Sequence, residues 1–179
     1  MIKKIYYKSP LAIHTITDEL IKIINDDTVI ICIGTDKCIG DSLGPFVGTF
    51  LKNSLLPLPI YGTISNPIHA LNINKNLNNI KDSHPTSKII GIDACLGEIH
   101  SIGEIHIRDS TLFPGKGVGK SLPTVGDYSI VGIVDSNKNS AYFSSRSIRL
   151  SLVIDMAKTI TDGIVNSYLY LNKKNFYTY

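Results

Sequence analysis

Apolar positions along the chain fall into alternating helical and strand rhythms. After Ser9-Pro10, residues 10–24 place Leu11, Ile16, Leu20, Ile21 and Ile24 at roughly helical spacing. Thr28 to Ile33 is a short apolar run that stops at Gly34 and predicts a buried strand over 28–34. Residues 42–55 carry Leu43, Phe46, Val47, Phe50, Leu51 and Leu55 on one stripe, the pattern of a helix. Pro45 fits its first turn, where a missing N–H costs little. Leu58 to Ile64 reads as a second strand. His69 to Ile80 reads as a polar, Asn-rich helix with Leu71, Ile73, Leu77 and Ile80 facing inward. A third strand covers 87–93. Residues 103–109 alternate, with Ile105 and Ile107 on one side and Glu104, His106 and Arg108 on the other, a half-buried strand. Residues 111–126 are a loop rich in Gly and Pro, Tyr128 to Val134 is another apolar strand, and Ser147 to Tyr170 is a long helix with Leu152, Met156, Ile160 and Ile164 at four-residue steps.

Helices alternating with short apolar strands predict an α/β domain with a mainly parallel sheet covered on both faces, its topology limited by right-handed crossovers. The 179 residues suit one domain, 1–179, with a core over about 28–165. No internal repeat or low-complexity linker divides it. No stretch approaches the ~20 apolar residues of a membrane span. Met1-Ile-Lys-Lys-Ile-Tyr-Tyr7 lacks the apolar centre and small-residue cleavage site of a secretory signal. Three cysteines without scaffold spacing predict a reducing interior. A net charge of +3, with Lys3, Lys4, Lys173 and Lys174 at the two ends, does not point to nucleic acid.

The segment Ile30-Ile-Cys-Ile-Gly-Thr-Asp-Lys-Cys-Ile-Gly-Asp-Ser-Leu-Gly-Pro45 is a strand, a polar loop and a helix start. Ligands of open α/β sheets gather at such strand ends. Ser87-Lys-Ile-Ile-Gly-Ile-Asp93 ends in the same way, so Asp41 and Asp93 are expected in one crevice. Like charges a few ångströms apart cannot both ionise, and one keeps a proton near neutrality. Asp41 reads both as a helix N-cap and as a base, since a helix N-terminus favours the charged form. Asp93 then carries the proton, or else caps a loop. Asp36 is a third candidate acid with the position of a turn residue.

Pro114-Gly-Lys-Gly-Val-Gly-Lys-Ser121 nearly matches a phosphate-cradling loop. Pro114 stands where its first Gly belongs, and Leu122-Pro123 stands where its helix should begin. The better reading is a flap whose Gly115 and Gly117 let backbone N–H groups approach a peptide or oxyanion, with a plain surface loop as the alternative. The five histidines form no His-x-x-x-His pair and the cysteines no Cys-x-x-Cys, so no structural zinc site is expected. His69, after Ser65-Asn-Pro67, reads either as a crevice residue or as a surface histidine at a helix start. Cys38 and Cys95 flank the two aspartates. A nucleophilic role would need a thiol of depressed pKa near His69; otherwise they are small, partly buried thiols.

Seven pieces carry a family resemblance: Ile33-Gly-Thr-Asp36, Gly40-Asp-Ser-Leu-Gly-Pro45, Tyr61-Gly-Thr63, Pro67-Ile-His-Ala70, Gly91-Ile-Asp-Ala94, Pro114-Gly-Lys-Gly-Val118 and Gly126-Asp-Tyr-Ser-Ile-Val-Gly132. In this order they resemble the sporulation protein YyaC family of spore-forming bacteria. That family is regarded as a relative of germination protease, which degrades small acid-soluble spore proteins, and is more distantly similar to the hydrogenase maturation peptidases. The resemblance implies a three-layer α/β/α sandwich. It places Asp41 and Asp93 on the two catalytic aspartate positions of germination protease, and Pro114-Gly-Lys-Gly-Val118 on its Pro-Gly-x-Gly-Val segment.

The same two acids match nickel-contacting positions of the hydrogenase maturation peptidases. Their third contact, a later histidine, has no match, because 111–126 contains none. The chain is also much shorter than germination protease and is expected to lack its insertions and pro-segment. The implied activity is therefore a cofactor-free, metal-independent endopeptidase of the forespore or spore cytoplasm, acting on small spore proteins. Asp41 would activate water, Asp93 would polarise the peptide carbonyl, and Thr35, Asp36, Gly40, His69, Gly115 and Gly117 would hold substrate. Two other readings are a non-catalytic binding or assembly protein that keeps the fold, and a metal-dependent processing peptidase.

Overall fold

The apolar run after residue 27 forms a strand in which every residue from Thr28 to Cys32 is buried. A side chain on either face of that strand meets an apolar layer, and this two-sided burial organises the fold. The computed structural model describes residues 2–54, 56–115, 122–137 and 148–176. Leu55, Gly117 with the rest of 116–121, and Ser147 lie outside the described residues. In chain order the elements are β1 (Ile2–Tyr6), α1 (Ala12–Leu20), β2 (Thr28–Cys32), α2 (Leu43–Asn53), β3 (Ile60–Tyr61), α3 (Ile73–Ser83), β4 (Lys88–Gly97), β5 (Glu104–Arg108), β6 (Tyr128–Ser136) and α4 (Leu150–Phe176). Among the described residues no helix is long and apolar enough to cross a membrane.

The six strands form one sheet in the order β1-β5-β6-β4-β2-β3. β3, β2, β4 and β6 run parallel. β5 is antiparallel to β6, and β1 to β5. From β2 the chain steps outward to β3, then crosses back to β4 on the other side of β2. This reversal leaves a crevice beyond the carboxyl ends of β2 and β4.

Period-two alternation sorts the side chains. Ile30, Cys32, Ile90, Ile92, Ile105, Ile107 and Ile130 pack with Ile16, Leu20, Leu43, Leu51, Met156 and Ile160, the inner stripes of α1, α2 and α4. Val29, Ile31, Ile33 and Val131 pack on the opposite face with Ile73, Leu77 and Ile80 of α3, joined by Leu112 and Val125. The result is a three-layer α/β/α sandwich with a mainly parallel sheet, as expected. Among the described residues the second outer layer is the helix α3, joined by Leu112 and Val125, which bridge to each other. Residues 111–126 are therefore not purely loop.

Several boundaries move for local reasons. β1 carries no strand signal because Lys3 and Lys4 interrupt its apolar residues; it adds to the sheet edge, where exposed lysines are at home. The strand expected over 58–64 shrinks to Ile60–Tyr61, since Gly62 turns the chain at φ +85°. Helix α3 starts four residues later than its periodicity suggests. The Asn72 side chain accepts the His69 N–H at 2.9 Å and donates to the Pro67 carbonyl at 3.0 Å, folding 69–72 into a turn. Leu71, expected to face inward, therefore points out and is 90% exposed. Leu11, at the N-cap position of α1, is also exposed. β4 does not stop at Asp93 but continues to Gly97, because Ala94, Cys95 and beyond keep pairing with β6.

The α1–α4 contact depends on a missing side chain. A Cβ on Gly163 would lie 2.3 Å from Cγ2 of Ile16, which is β-branched and fully buried. Gly163→Ala is expected to force the helices apart and to destabilise the protein by roughly 1–3 kcal/mol. A lowered urea midpoint with an unchanged slope measures this; no change would show that the two helices slide freely.

Candidate active site

The loop after β2 is held in two places. The Gly34 N–H donates to the Ile68 carbonyl at 2.8 Å, and the Thr35 N–H donates to the Asp41 carbonyl at 3.0 Å. Between them Gly34 adopts φ +135°, a conformation that L side chains rarely reach. The chain then closes a short 3-10 turn, Ile39–Asp41, that delivers Asp41 to the crevice. Asp41 does not cap α2. Ser42 occupies the N-cap position, no side chain caps the helix there, and the Ser42 hydroxyl donates to the Ile39 carbonyl at 2.7 Å. The capping reading of Asp41 is thus overturned.

Asp93 reaches the same place from within β4 rather than from a strand end. Its neighbour Ile92 is paired with Cys32, the last residue of β2, so β4 runs on alone past its partner on that side. Alternation turns Asp93 to the α3 face, above the gap where β2 has left the sheet. The residue is only 8% exposed, and its Oδ1 accepts the Ala94 N–H at 2.8 Å.

Asp41 and Asp93 line one cavity of about 350 Å³. Its walls are Gly34, Thr35, Lys37 and Cys38 from the β2 loop, His69, Ala70 and Leu71 from the turn before α3, and Pro114, Gly115 and Leu122 from beside the Leu112–Val125 bridge. Burial pushes the Asp41 carboxyl up to about 6, against the opposing pull of the Thr35 N–H. Asp93 is raised well above the usual carboxylate range by burial first and by the Asp41 charge second, with the Ala94 N–H opposing. The pair therefore holds a proton more firmly at Asp93 than at Asp41.

The other expected site residues divide. Thr35 lines the cavity, and its Oγ1 accepts the Lys37 N–H at 3.3 Å. His69 lines it too; its Nδ1 accepts the Leu71 N–H at 3.3 Å, so the neutral ring carries its proton on Nε2 as a donor. Gly115 lines it at φ +73°. Asp36 is exposed and lies outside the lining, and Gly40 is buried inside the turn that carries Asp41. Cys95 does not fit a nucleophile, since burial pushes its thiol up to about 11. Lys37 and the outward Leu71 are cavity residues that the sequence reading did not single out. Leu71 was hidden by its fit to a helical stripe.

Among the described residues no three His, Cys, Asp or Glu side chains converge as a metal cage.

Comparison with known proteins adds kinship. A family model described as a protein of unknown function (DUF1256) matches residues 4–163. The "Uncharacterized protein YyaC" of Bacillus subtilis (strain 168) is 45% identical over 137 residues, covering 76% of this chain and 67% of that relative.

Proposed function

Since the chain belongs to the DUF1256 family of proteins of unknown function, we propose its activity from the site itself: an endopeptidase that works with the Asp41–Asp93 pair and no metal. One observation carries this reading. Two carboxylates share a single cavity, and both are pushed upward, Asp93 further than Asp41. Near neutrality such a pair holds one proton between them. Ionised Asp41 takes a proton from a water molecule, and the water oxygen bonds to the peptide carbonyl carbon. Asp93 gives its proton to the carbonyl oxygen. As the C–N bond breaks, the proton on Asp41 passes to the leaving amine, and one hydroxyl of the collapsing diol returns a proton to Asp93, so the products are the carboxylic acid and the amine and the starting pair is restored. His69, with Nε2–H available, supplies a donor to the substrate backbone, and Thr35 and Gly115 border its path. The substrates are small spore proteins in the forespore or spore, following the resemblance of the chain.

The test is incubation of the purified protein with small acid-soluble spore proteins, with fragments read by mass spectrometry. Discrete fragments are expected from the wild type, and none from Asp41→Asn. The rate should rise as pH climbs through about 6, where Asp41 ionises, and fall again where Asp93 loses its proton. Fragments made equally well by Asp41→Asn would overturn the dyad. Stable binding without any fragment from pH 5 to 9 would support the second reading, a non-catalytic binding protein, which the outward Leu71 at the cavity mouth favours.

A further inference from the structure

The side of β5 turned away from α1 and α4 carries Glu104, His106 and Arg108. His106 stands in register with Val131 of β6, and Val131 with Asp93 of β4, so this polar row lies on the same sheet face as the dyad. Its hydrogen bonds have a fixed direction. A guanidinium only donates, so Arg108 Nη2 donates to His106 Nδ1 at 3.3 Å. The ring proton therefore sits on Nε2, which faces Glu104 Oε2 at 2.7 Å. That bond holds Glu104 below the usual carboxylate range. Glu104 orients His106, and His106 orients Arg108.

The acid of this row is spent on His106. Among the described residues no carboxylate lies within ion-pair distance of the half-buried Arg108, whose buried Nε–H meets no acceptor. Ser129, in register with Arg108 and fully buried, has a hydroxyl that also meets no partner among the described residues. A half-buried cation without a counter-charge is costly, and one held rigid by two supporting side chains is prepared for an incoming anion. The dyad is close by: the Cys95 thiol feels the Arg108 charge, which lowers it, and the Asp93 charge, which raises it.

We propose that Arg108, braced by His106 and Glu104 and flanked by Ser129, is a carboxylate-binding subsite that fixes an acidic group of the polypeptide substrate beside the Asp41–Asp93 cavity. The planar fork of arginine matches a carboxylate with two parallel N–H bonds. The identity of the carboxylate as part of a substrate rests on the peptidase reading; the subsite itself does not, and its test uses binding alone.

The probe is N-acetylglutamate α-amide, titrated into ¹⁵N-labelled protein while the Arg108 Nε–H resonance is followed. A saturable shift is expected, with the uncharged N-acetylglutamine α-amide at least about tenfold weaker, the scale of one charge-assisted hydrogen bond. Arg108→Gln should abolish the binding, and Arg108→Lys, which keeps the charge and loses the fork, should weaken it. The amide spectrum of each variant reports whether the fold is intact. N-acetylalanine separates the two sources of carboxylate. Saturation by the glutamate probe supports an internal acidic residue, and saturation by N-acetylalanine alone supports a chain end. No shift, an equal response to the glutamine analogue, or an Nε–H that contacts only an internal water overturns the proposal, whether or not cleavage is observed.

Discussion

Replacing Asp93 with asparagine is expected to abolish the proposed cleavage and, above neutral pH, to stabilise the protein. Both effects come from the same burial. A carboxylate whose folded pKa lies above its unfolded value binds its proton more tightly when folded. Its favourable contribution is full below the unfolded pKa and is lost as pH rises through the folded one. For Asp41 that window runs from 3.8 to about 6. The interval corresponds to about 3 kcal/mol at most, less where solvent reaches the group. For Asp93, which is more deeply buried and also repelled by Asp41, the window extends to higher pH. Asparagine cannot ionise, yet its Oδ1 can still accept the Ala94 N–H. The urea midpoint of Asp93→Asn should therefore exceed the wild-type value at pH 8 and coincide with it at pH 3. If the proposed peptidase reading holds, cleavage should fall by about 10²–10⁴, the usual contribution of a positioned acid. A variant less stable than wild type at pH 8 would show that the buried charge is compensated.

Gly34→Ala is expected to act in the opposite sense, removing the site and much of the stability together. A Cβ at this position would sit 2.0 Å from the Asp41 carbonyl oxygen and 3.1 Å from Pro45 Cδ, and φ is +135°. Neither neighbour is the end of a flexible side chain. The β2 loop would have to release the Thr35–Asp41 hydrogen bond, and Asp41 would move with it. A clash with backbone combined with a forbidden dihedral belongs to the largest class of single-residue effects, about 3 kcal/mol or more. Urea unfolding reads the stability, and hydrogen exchange at the Thr35 amide reads the loop. A protected Thr35 amide in the variant would mean that the loop accommodates the methyl group elsewhere.

The α/β class and the order of elements from α1 onward were legible because burial writes itself into periodicity. Ile16 and Leu20, Leu43, Val47 and Leu51, and Met156 and Ile160 all fall on buried helical stripes. Strand lengths were less legible. β4 outlasts its apolar run because Asp93 keeps its place in the ladder with β6 while its carboxylate turns into a cavity. Spacing alone could not separate that from a strand end. Leu71 misled because its spacing fits the α3 stripe, whereas the Asn72 hydrogen bonds that hold it in a turn depend on the fold around Pro67. β1 was invisible because pairing to β5, not its own sequence, makes it a strand. Asp41 was legible as an acid in a glycine-punctuated loop, and Asp93 as an acid closing an apolar run. The direction of the Glu104–His106–Arg108 row was not, since alternation shows which face a residue takes and not which donor meets which acceptor.

Because β4 outruns β2, the floor of the cavity belongs to the sheet, while its walls are the β2 loop, the turn before α3 and the residues beside the Leu112–Val125 bridge. Sheet backbone tolerates little insertion, and connecting segments tolerate much. A descendant of this chain could rebuild every wall, with new lengths and new side chains, and still inherit Asp93 at the same height in the same environment. Asp93 is thus fixed by the sheet, while Asp41 and the rest of the lining ride on connecting segments that are free to diverge at a different speed.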